Sequence, residues 1–123
     1  MTEAVSKLLK TFAHMQPEFD EDLKVLGSDF PNRSHSVYGQ LFNPYIIEVL
    51  KNDADANLLQ NIFSFVEELA SSINPDDENL VAVTICECLG GEEDILARAR
   101  EFMGPLTLKL SRDIEIFWGR ENA

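Results

Sequence analysis

Apolar residues at the start of the chain recur at three- and four-residue steps, the spacing of an amphipathic helix. They predict a first helix through Met15. Its apolar face comprises Val5, Leu8, Leu9, Phe12 and Met15. Pro17 suits the first turn of a second helix, Glu18 to Leu26, and Gly27 is expected to end that helix.

A polar stretch and then a wide apolar face follow. Residues 28–36 are turn-forming types and predict the longest loop. Between Ser36 and Lys51 apolar residues come in pairs that repeat four residues on, which predicts a core helix. Pro44 lacks a backbone N–H and its ring clashes with the Gln40 carbonyl, so we expect a kink or break near Asn43.

Two further helices are predicted in the middle of the chain. The first runs from about Ala56 to Ser71, and its Phe65 requires a pocket or partner of its own. Asn74 and Pro75 start the second. Its stretch 80–89 is apolar nearly all round, so we expect this helix to be central.

Glycine and proline delimit the last helices. Gly90-Gly91 closes the central helix, residues 92–94 open another through Phe102, and Gly104-Pro105 precedes a last helix from Leu106 to about Trp118. About six to seven helical segments result, and no stretch shows sustained two-residue alternation. The predicted fold class is all-α.

The chain has 123 residues, the length of one compact domain, and we predict a single all-helical domain over 1–123. Short connections favour antiparallel helix hairpins, which either stack as a short α-solenoid of the HEAT or armadillo kind or pack as an irregular bundle. The all-round apolarity of residues 80–89 slightly favours the solenoid.

Composition and charge exclude several classes of protein. Hydrophobic residues make up 45% and charged residues 26%, which is typical of globular domains rather than disordered chains. The net charge of −12 repels phosphate backbones and anionic lipids, so we expect neither direct nucleic-acid binding nor membrane binding. No secretory, membrane-spanning or lipidation signal is recognised, which predicts a cytoplasmic location.

Basic residues are absent from a long segment of the chain. Between Asn52 and Ala97 there is no Lys or Arg, and eleven acids fall inside. They are Asp53, Asp55, Glu67, Glu68, Asp76, Asp77, Glu78, Glu87, Glu92, Glu93 and Asp94. A helix start stabilises an acid by about 0.3–1 kcal/mol, which explains some of them as a solvated face but does not explain the missing bases. The alternative is a functional acidic surface that steers a basic partner.

Eight of these acids are the candidate partner-binding residues. They are Glu67, Glu68, Asp76, Asp77, Glu78, Glu92, Glu93 and Asp94. Glu87 lies on the most apolar helix, where it either has a structural partner, such as Arg98, Arg100 or Arg112, or acts directly in function. Trp118 either anchors the last helix on the core or, if exposed, marks a contact hot spot.

No set of residues specifies a reaction. Residues 53–57 (Asp-x-Asp-x-Asn) begin like a calcium loop, but Leu58 and Ser64 stand where Gly and Glu are required. Cys86 and Cys88 are poorly spaced for a disulfide and have no further Cys or His pair for zinc, so they are expected to be reduced and partly buried thiols. No nucleophile elbow or phosphate-binding glycine pattern is present. We therefore expect no catalytic, cofactor-binding or metal-binding residues.

Several short motifs carry a resemblance to a known kind of protein. They are Val37-Tyr38-Gly39-Gln40-Leu41, Phe65-Val66-Glu67-Glu68-Leu69, Asn79-Leu80-Val81-Ala82-Val83, Glu87-Cys88-Leu89, Met103-Gly104-Pro105-Leu106 and Phe117-Trp118. In this order, over about residues 36–118, the chain resembles small uncharacterised bacterial helical proteins. These are similar in size and character to immunity proteins of contact-dependent inhibition and polymorphic toxin systems, which bind and silence a toxin domain. The resemblance implies no catalytic residue.

Two functional hypotheses follow. The leading one is a non-enzymatic, cytoplasmic immunity protein whose acidic surface occupies the basic cleft of a nuclease-type toxin domain. The alternative is a helical scaffold or adaptor protein that binds a peptide or partner helix in an apolar groove, along Phe65 or Trp118. An enzyme with a site assembled from scattered residues is a third and weaker hypothesis.

Overall fold

The computed structural model describes residues 1–52 and 55–122. In these residues there are seven helices and no strand, which confirms the predicted all-α class. The helices are α1 (Glu3–Thr11), α2 (Gln16–Leu26), α3 (residues 34–51), α4 (Ala56–Ala70), α5 (residues 75–89), α6 (Glu93–Arg100) and α7 (Pro105–Phe117). None of these helices is both long enough and apolar enough to cross a membrane.

The chain forms two compact units, Met1–Pro44 and Tyr45 onward. The first unit has an aromatic core. Its buried rings are Phe12, Phe19, Phe30, Tyr38 and Phe42. The centroids of Phe12 and Phe42 are 5.5 Å apart, and those of Phe19 and Phe30 are 5.7 Å apart. The Tyr38 hydroxyl donates to the Ala4 carbonyl at 2.7 Å, so the one polar atom among these rings is satisfied. The single domain over 1–123 stays a prediction.

The first predicted helix is shorter than its apolar spacing indicated. It ends at Thr11, because Phe12 leaves the helical region, and a 3₁₀ turn over Ala13–Met15 leads directly into α2. The turn keeps both Phe12 and Met15 buried, which is why the apolar spacing continues through it. Gly27 ends α2 with a φ of 94°, as predicted.

The predicted loop over residues 28–36 is largely structured. A 3₁₀ turn covers Phe30–Asn32, and α3 begins at Ser34. The stretch before α1 holds this segment in place, because the Thr2 N–H donates to the Pro31 carbonyl at 3.2 Å and the Thr2 and Ser34 hydroxyls are 2.7 Å apart. Turn-forming composition alone did not reveal these tertiary contacts.

Of the kink or break expected near Asn43, the break does not occur, and the helix is distorted by a π-helical turn instead. A π-helical turn covers Tyr38–Phe42, in which the Asn43 N–H donates to the Tyr38 carbonyl, and the helix continues through Asn43–Lys51. A π turn is wider than an α turn, so it takes up the distortion of a proline without ending the helix.

The second unit contains α4 and α5, which form an antiparallel hairpin across the short connection 71–74. Asn74 caps α5 as predicted, since its side-chain oxygen accepts from the Asp76 N–H at 3.0 Å. Phe65 is buried within α4. A second π-helical segment, Val81–Cys86, interrupts α5, and α7 packs mainly against it.

The buried face of α7 is polar. Thr107, Ser111 and Glu115 recur at four-residue spacing and are all buried. Phe117 and Trp118, by contrast, are 74% and 55% exposed. The expectation that Trp118 anchors the last helix on the core is therefore wrong, because polar side chains with partners elsewhere in this unit occupy the inward face.

Candidate protein-binding surface

The eight predicted acids lie in two groups within the second unit. Glu67 and Glu68 end α4, and Asp76, Asp77 and Glu78 begin α5 just across the connection 71–74. Glu92, Glu93 and Asp94 lie at the start of α6, beyond the far end of α5. From Glu78 to Leu89 the helix rises on the order of 15 Å. The eight acids thus do not form one patch, and Asp53 of the same base-free segment lies outside the described residues.

We call the first group, together with Glu101 after α6, the acidic end of the unit. The side chains of Glu68, Asp76, Asp77 and Glu78 make no hydrogen bond or ion pair with the described part of the chain. Glu78 nevertheless has a base in its neighbourhood, because the pKa of Lys109 is raised by its hydrogen bond to Asp113 and, to a smaller extent, by the charge of Glu78. Ile73, between Glu68 and Asp76 in sequence, is fully exposed. An apolar tip among unpaired charges has the composition of a contact surface, where a hydrophobic centre is surrounded by a polar rim.

Two carboxylates of the acidic end have partners, namely Glu101, which is described below, and Glu67, which caps α7. Glu67 accepts hydrogen bonds from the N–H of Leu106 at 3.0 Å, from the N–H of Thr107 at 2.9 Å and from the hydroxyl of Thr107 at 2.8 Å. A Cβ on Gly104 would overlap this carboxylate, so the approach requires glycine. Partial burial raises the pKa of Glu67, but the hydrogen bonds from Thr107 and Leu106 outweigh it and hold the pKa below its ordinary value.

A pocket of about 440 Å³ opens at the acidic end, between α4 and the connection from α6 to α7. Phe102 and Met103 give it an apolar wall, Glu67, Glu68 and Glu101 give it carboxylates, and Gln60, Ser64 and Ser71 are also part of its lining. No Lys or Arg is among the described residues that line it. Glu101 pairs with Arg98 at 3.4 Å, but 62% of its side chain is exposed, so this pair is weak.

The opposite end of the unit, which we call the paired end, holds acids that have basic partners. Glu115 is buried and makes a bidentate ion pair with Arg120. Arg100 donates to Ser111 at 3.1 Å and to Glu121 at 2.8 Å. These contacts bring residues after α7 back onto the helix, with Gly119 at a φ of 73°.

Two of the sequence predictions change at the paired end. Glu87 has an arginine as its structural partner, as the first of its two interpretations expected, but the arginine is Arg120, at 3.8 Å, rather than Arg98, Arg100 or Arg112. The Glu87 side chain is 41% exposed. The desolvated acid is Glu115 instead, which the sequence analysis missed although its four-residue spacing from Thr107 and Ser111 marks one face of a helix. Of the three predicted acids at the start of α6, Glu92 lies 3.9 Å from Lys51, whereas Glu93 and Asp94 make no hydrogen bond or ion pair with the described residues.

A pocket of about 550 Å³ lies at the paired end, lined by Gly90, Glu93, Arg100, Glu115, Arg120 and Glu121 among others. Both arginines in it already face carboxylates. One guanidinium nitrogen of Arg100, Nη2, is buried without a hydrogen-bond partner in the described chain. Because acids outnumber bases among these six residues, the pocket carries no net positive field that would attract an anion.

The two thiols are free, as predicted, with Cys86 buried and Cys88 partly exposed. Burial raises the pKa of Cys86 to about 12, so its thiol stays protonated. It donates weakly to the Thr107 carbonyl at 3.9 Å. Burial and the neighbouring Glu87 also raise the pKa of Cys88. Within the described residues, no three His, Cys, Asp or Glu side chains come together as they would around a metal ion.

Comparison with known protein families places the chain. The family described as Domain of unknown function (DUF7674) matches residues 5–119. The chain belongs to this family. Membership extends over nearly all of α1 and all of α2, whereas the resemblance read from short motifs began only at about residue 36. The acidic end lies within the matched residues, and so does the paired end except for Arg120 and Glu121. Neither a curated protein nor a solved structure matches the chain.

Proposed function

We propose that this member of the DUF7674 family is a non-enzymatic, cytoplasmic protein-binding module whose partner is a basic protein. Its most specific form is an immunity protein that neutralises a nuclease-type toxin domain by covering the basic cleft in which the toxin binds phosphate. The proposal requires neither a cofactor nor a metal ion.

One observation carries the proposal, namely the unpaired carboxylates of the acidic end. Glu68 precedes the connection 71–74 of the hairpin, Asp76, Asp77 and Glu78 follow it, and none of the four makes an ion pair with the described chain. A group of like charges costs self-repulsion, and it is useful where it accelerates the encounter with an oppositely charged partner. The paired end shows that this chain can pair its acids with bases, which makes the lack of pairing at the acidic end informative.

Survival of a host cell tests the biological part of the proposal. The chain is co-expressed with the product of the gene immediately upstream, and that product is also expressed alone. We expect the upstream product to stop growth and the chain to restore it. A toxic upstream product that the chain does not neutralise would contradict the immunity function.

The salt dependence of association tests the physical part. If the chain restores growth, the rate at which it associates with that toxic protein is measured by stopped flow at low and at high salt. Electrostatic steering predicts a rate about tenfold or more lower at high salt. A rate that does not change with salt would contradict the role of the acidic end.

The exposed aromatic pair supports a second candidate function. Phe117 and Trp118 stack edge to face with centroids 5.1 Å apart, and both are exposed. A helical adaptor would use them as a contact for a peptide or partner helix. Phe65, the other residue considered for this role, is buried and does not support it. A blue shift of Trp118 fluorescence on adding the partner would favour the adaptor function.

A further inference from the structure

The pocket at the acidic end combines two features that one kind of side chain would satisfy together. One part of its wall is apolar, because the half-buried side chains of Phe102 and Met103 line it. Its charged groups are the carboxylates of Glu67, Glu68 and Glu101, and the uncharged polar residues Gln60, Ser64 and Ser71 complete the lining. A long side chain with an apolar stem and a cationic head matches both features, since such a chain packs its methylene groups on apolar surface and presents its charge to acids.

The carboxylates differ in their availability. Glu67 is committed to capping α7, although it keeps its negative charge. Glu101 faces Arg98 only across an exposed contact of 3.4 Å. Glu68 has no hydrogen-bond or ion-pair partner for its carboxylate in the described chain. A cation in the pocket would therefore find one free carboxylate, one weakly paired carboxylate and a background charge from the third.

The walls favour arginine over lysine. A guanidinium group is planar and weakly hydrated, and it packs on aromatic faces while it donates to carboxylates. Phe102 already shows this behaviour, because the Arg98 guanidinium carbon lies 5.3 Å from the centroid of its ring. Met103 supplies a flexible wall that adapts to the stem of an inserted side chain.

We propose that this pocket receives an arginine side chain of the basic partner. The inference rests on the proposed function and deepens it, since it names the group that the acidic end recognises. The arginine inserts from solvent, its guanidinium pairs with Glu68 and Glu101, and its methylene groups pack against Phe102 and Met103. The free carboxylates of α5 then provide long-range attraction rather than the specific contact.

The test uses the full chain and a small probe, N-acetyl-arginine methylamide, in an NMR titration. We expect the backbone amide signals of Ser71, Met103 and Gly104 to shift saturably, with an affinity of about millimolar. The uncharged apolar probe N-acetyl-norleucine methylamide, which has a methylene stem but no guanidinium group, should not produce these shifts. Shifts that are absent, or equal for both probes, would overturn the inference.

Two matched variants locate the site. Glu68→Gln should weaken binding of the arginine probe about threefold, the effect of one exposed ion pair. Glu93→Gln makes the same change of charge in the pocket at the paired end and should leave the probe affinity unchanged. Equal weakening by both variants would overturn the inference in favour of a general field effect. The NMR titration and the survival assay are independent of each other. A negative titration would therefore contradict the arginine pocket without contradicting the immunity function.

Discussion

The carboxylates near the two ends of α7 differ in whether they are paired with a base. At the start of the helix, Glu67 caps the backbone, while Glu68, Asp76 and Asp77 have no hydrogen-bond or ion-pair partner among the described residues. Toward its end, Glu115 is buried in a bidentate pair with Arg120. Thr107 and Glu115 are separated by an axial rise of only about 12 Å. The same helix thus joins a surface with uncompensated charge to an interior with compensated charge.

This difference separates structural acids from available ones. An acid buried without a base is costly, so the pairing of Glu115 is a condition of folding. An exposed acid at a helix start is stable without a partner, so its pairing is optional. Substitutions at the paired end should therefore change stability, and substitutions at the acidic end, apart from Glu67, should change binding.

The largest effect on stability is expected for Glu115→Gln. The substitution removes the charge that faces Arg120 in a buried site, so we expect a loss of about 2 kcal/mol in the free energy of unfolding. This figure is below that of a fully buried pair because about a third of the Arg120 side chain is exposed. Urea denaturation measures the loss.

The control for Glu115→Gln lies on the same helix. Asp113 pairs with Lys109 at 2.8 Å, but both side chains are more than half exposed. Asp113→Asn should therefore leave the urea midpoint nearly unchanged. Equal stabilities for the two variants would mean that the Glu115 pair is not a structural element.

A smaller loss, about 1 kcal/mol, is expected for Glu67→Gln, because the amide is a weaker cap for α7 than the carboxylate. The loss should depend on pH. Since the folded-state pKa of Glu67 is lowered, its stabilisation is fully present above the ordinary value of 4.5 and disappears as the pH falls through the lowered pKa. The difference between the wild-type protein and the variant should shrink on acidification.

Glu68 provides the matched control, one residue along the same helix. Glu68→Gln removes an equal charge from a carboxylate that has no hydrogen-bond or ion-pair partner in the described chain. We therefore expect no loss of stability, either at neutral pH or on acidification. A loss equal to that of Glu67→Gln would show that net charge, rather than the cap, determines the effect.

Apart from the two control variants, the smallest effect on stability is expected for Trp118→Ser. Trp118 is more than half exposed, so its removal uncovers little new apolar surface, and the change should stay within about 0.5 kcal/mol. Thermal unfolding measures it. A loss of several kcal/mol would restore the interpretation of Trp118 as the anchor of the last helix.

Sequence reasoning predicted the helices well and the polar interior poorly. The apolar spacing of α4 and the Asn74 cap of α5 are local signals, and local signals determine helix bounds. The partners of Glu67 and Glu115 depend on contacts between helices, which no local pattern encodes. Proline at position 44 predicted a distortion, but the form it took, a π turn, depends on packing.

The candidate site was predictable only in part. Because residues 52–97 contain no Lys or Arg, the sequence was sufficient to select Glu68 and the acids that begin α5 as candidates. It also selected Glu92, Glu93 and Asp94, because sequence distance does not show that Lys51, Arg100 and Arg120 lie at that end. Glu101 was missed, since the arginines that precede it place it outside the base-free segment.

Two charge reversals compare the ends of the molecule under matched conditions. Asp76, Asp77 and Glu78 begin α5, and Glu92, Glu93 and Asp94 begin α6, so replacing either set with Lys removes three acids from a helix start. Circular dichroism is first used to check that both variants fold. Stopped flow then gives the rate at which each associates with the neutralised partner at low salt. We predict that the first variant associates about tenfold or more slowly and that the second stays much closer to the wild-type rate. Equal slowing of both variants, or slowing of the second alone, would contradict the assignment of partner binding to the acidic end.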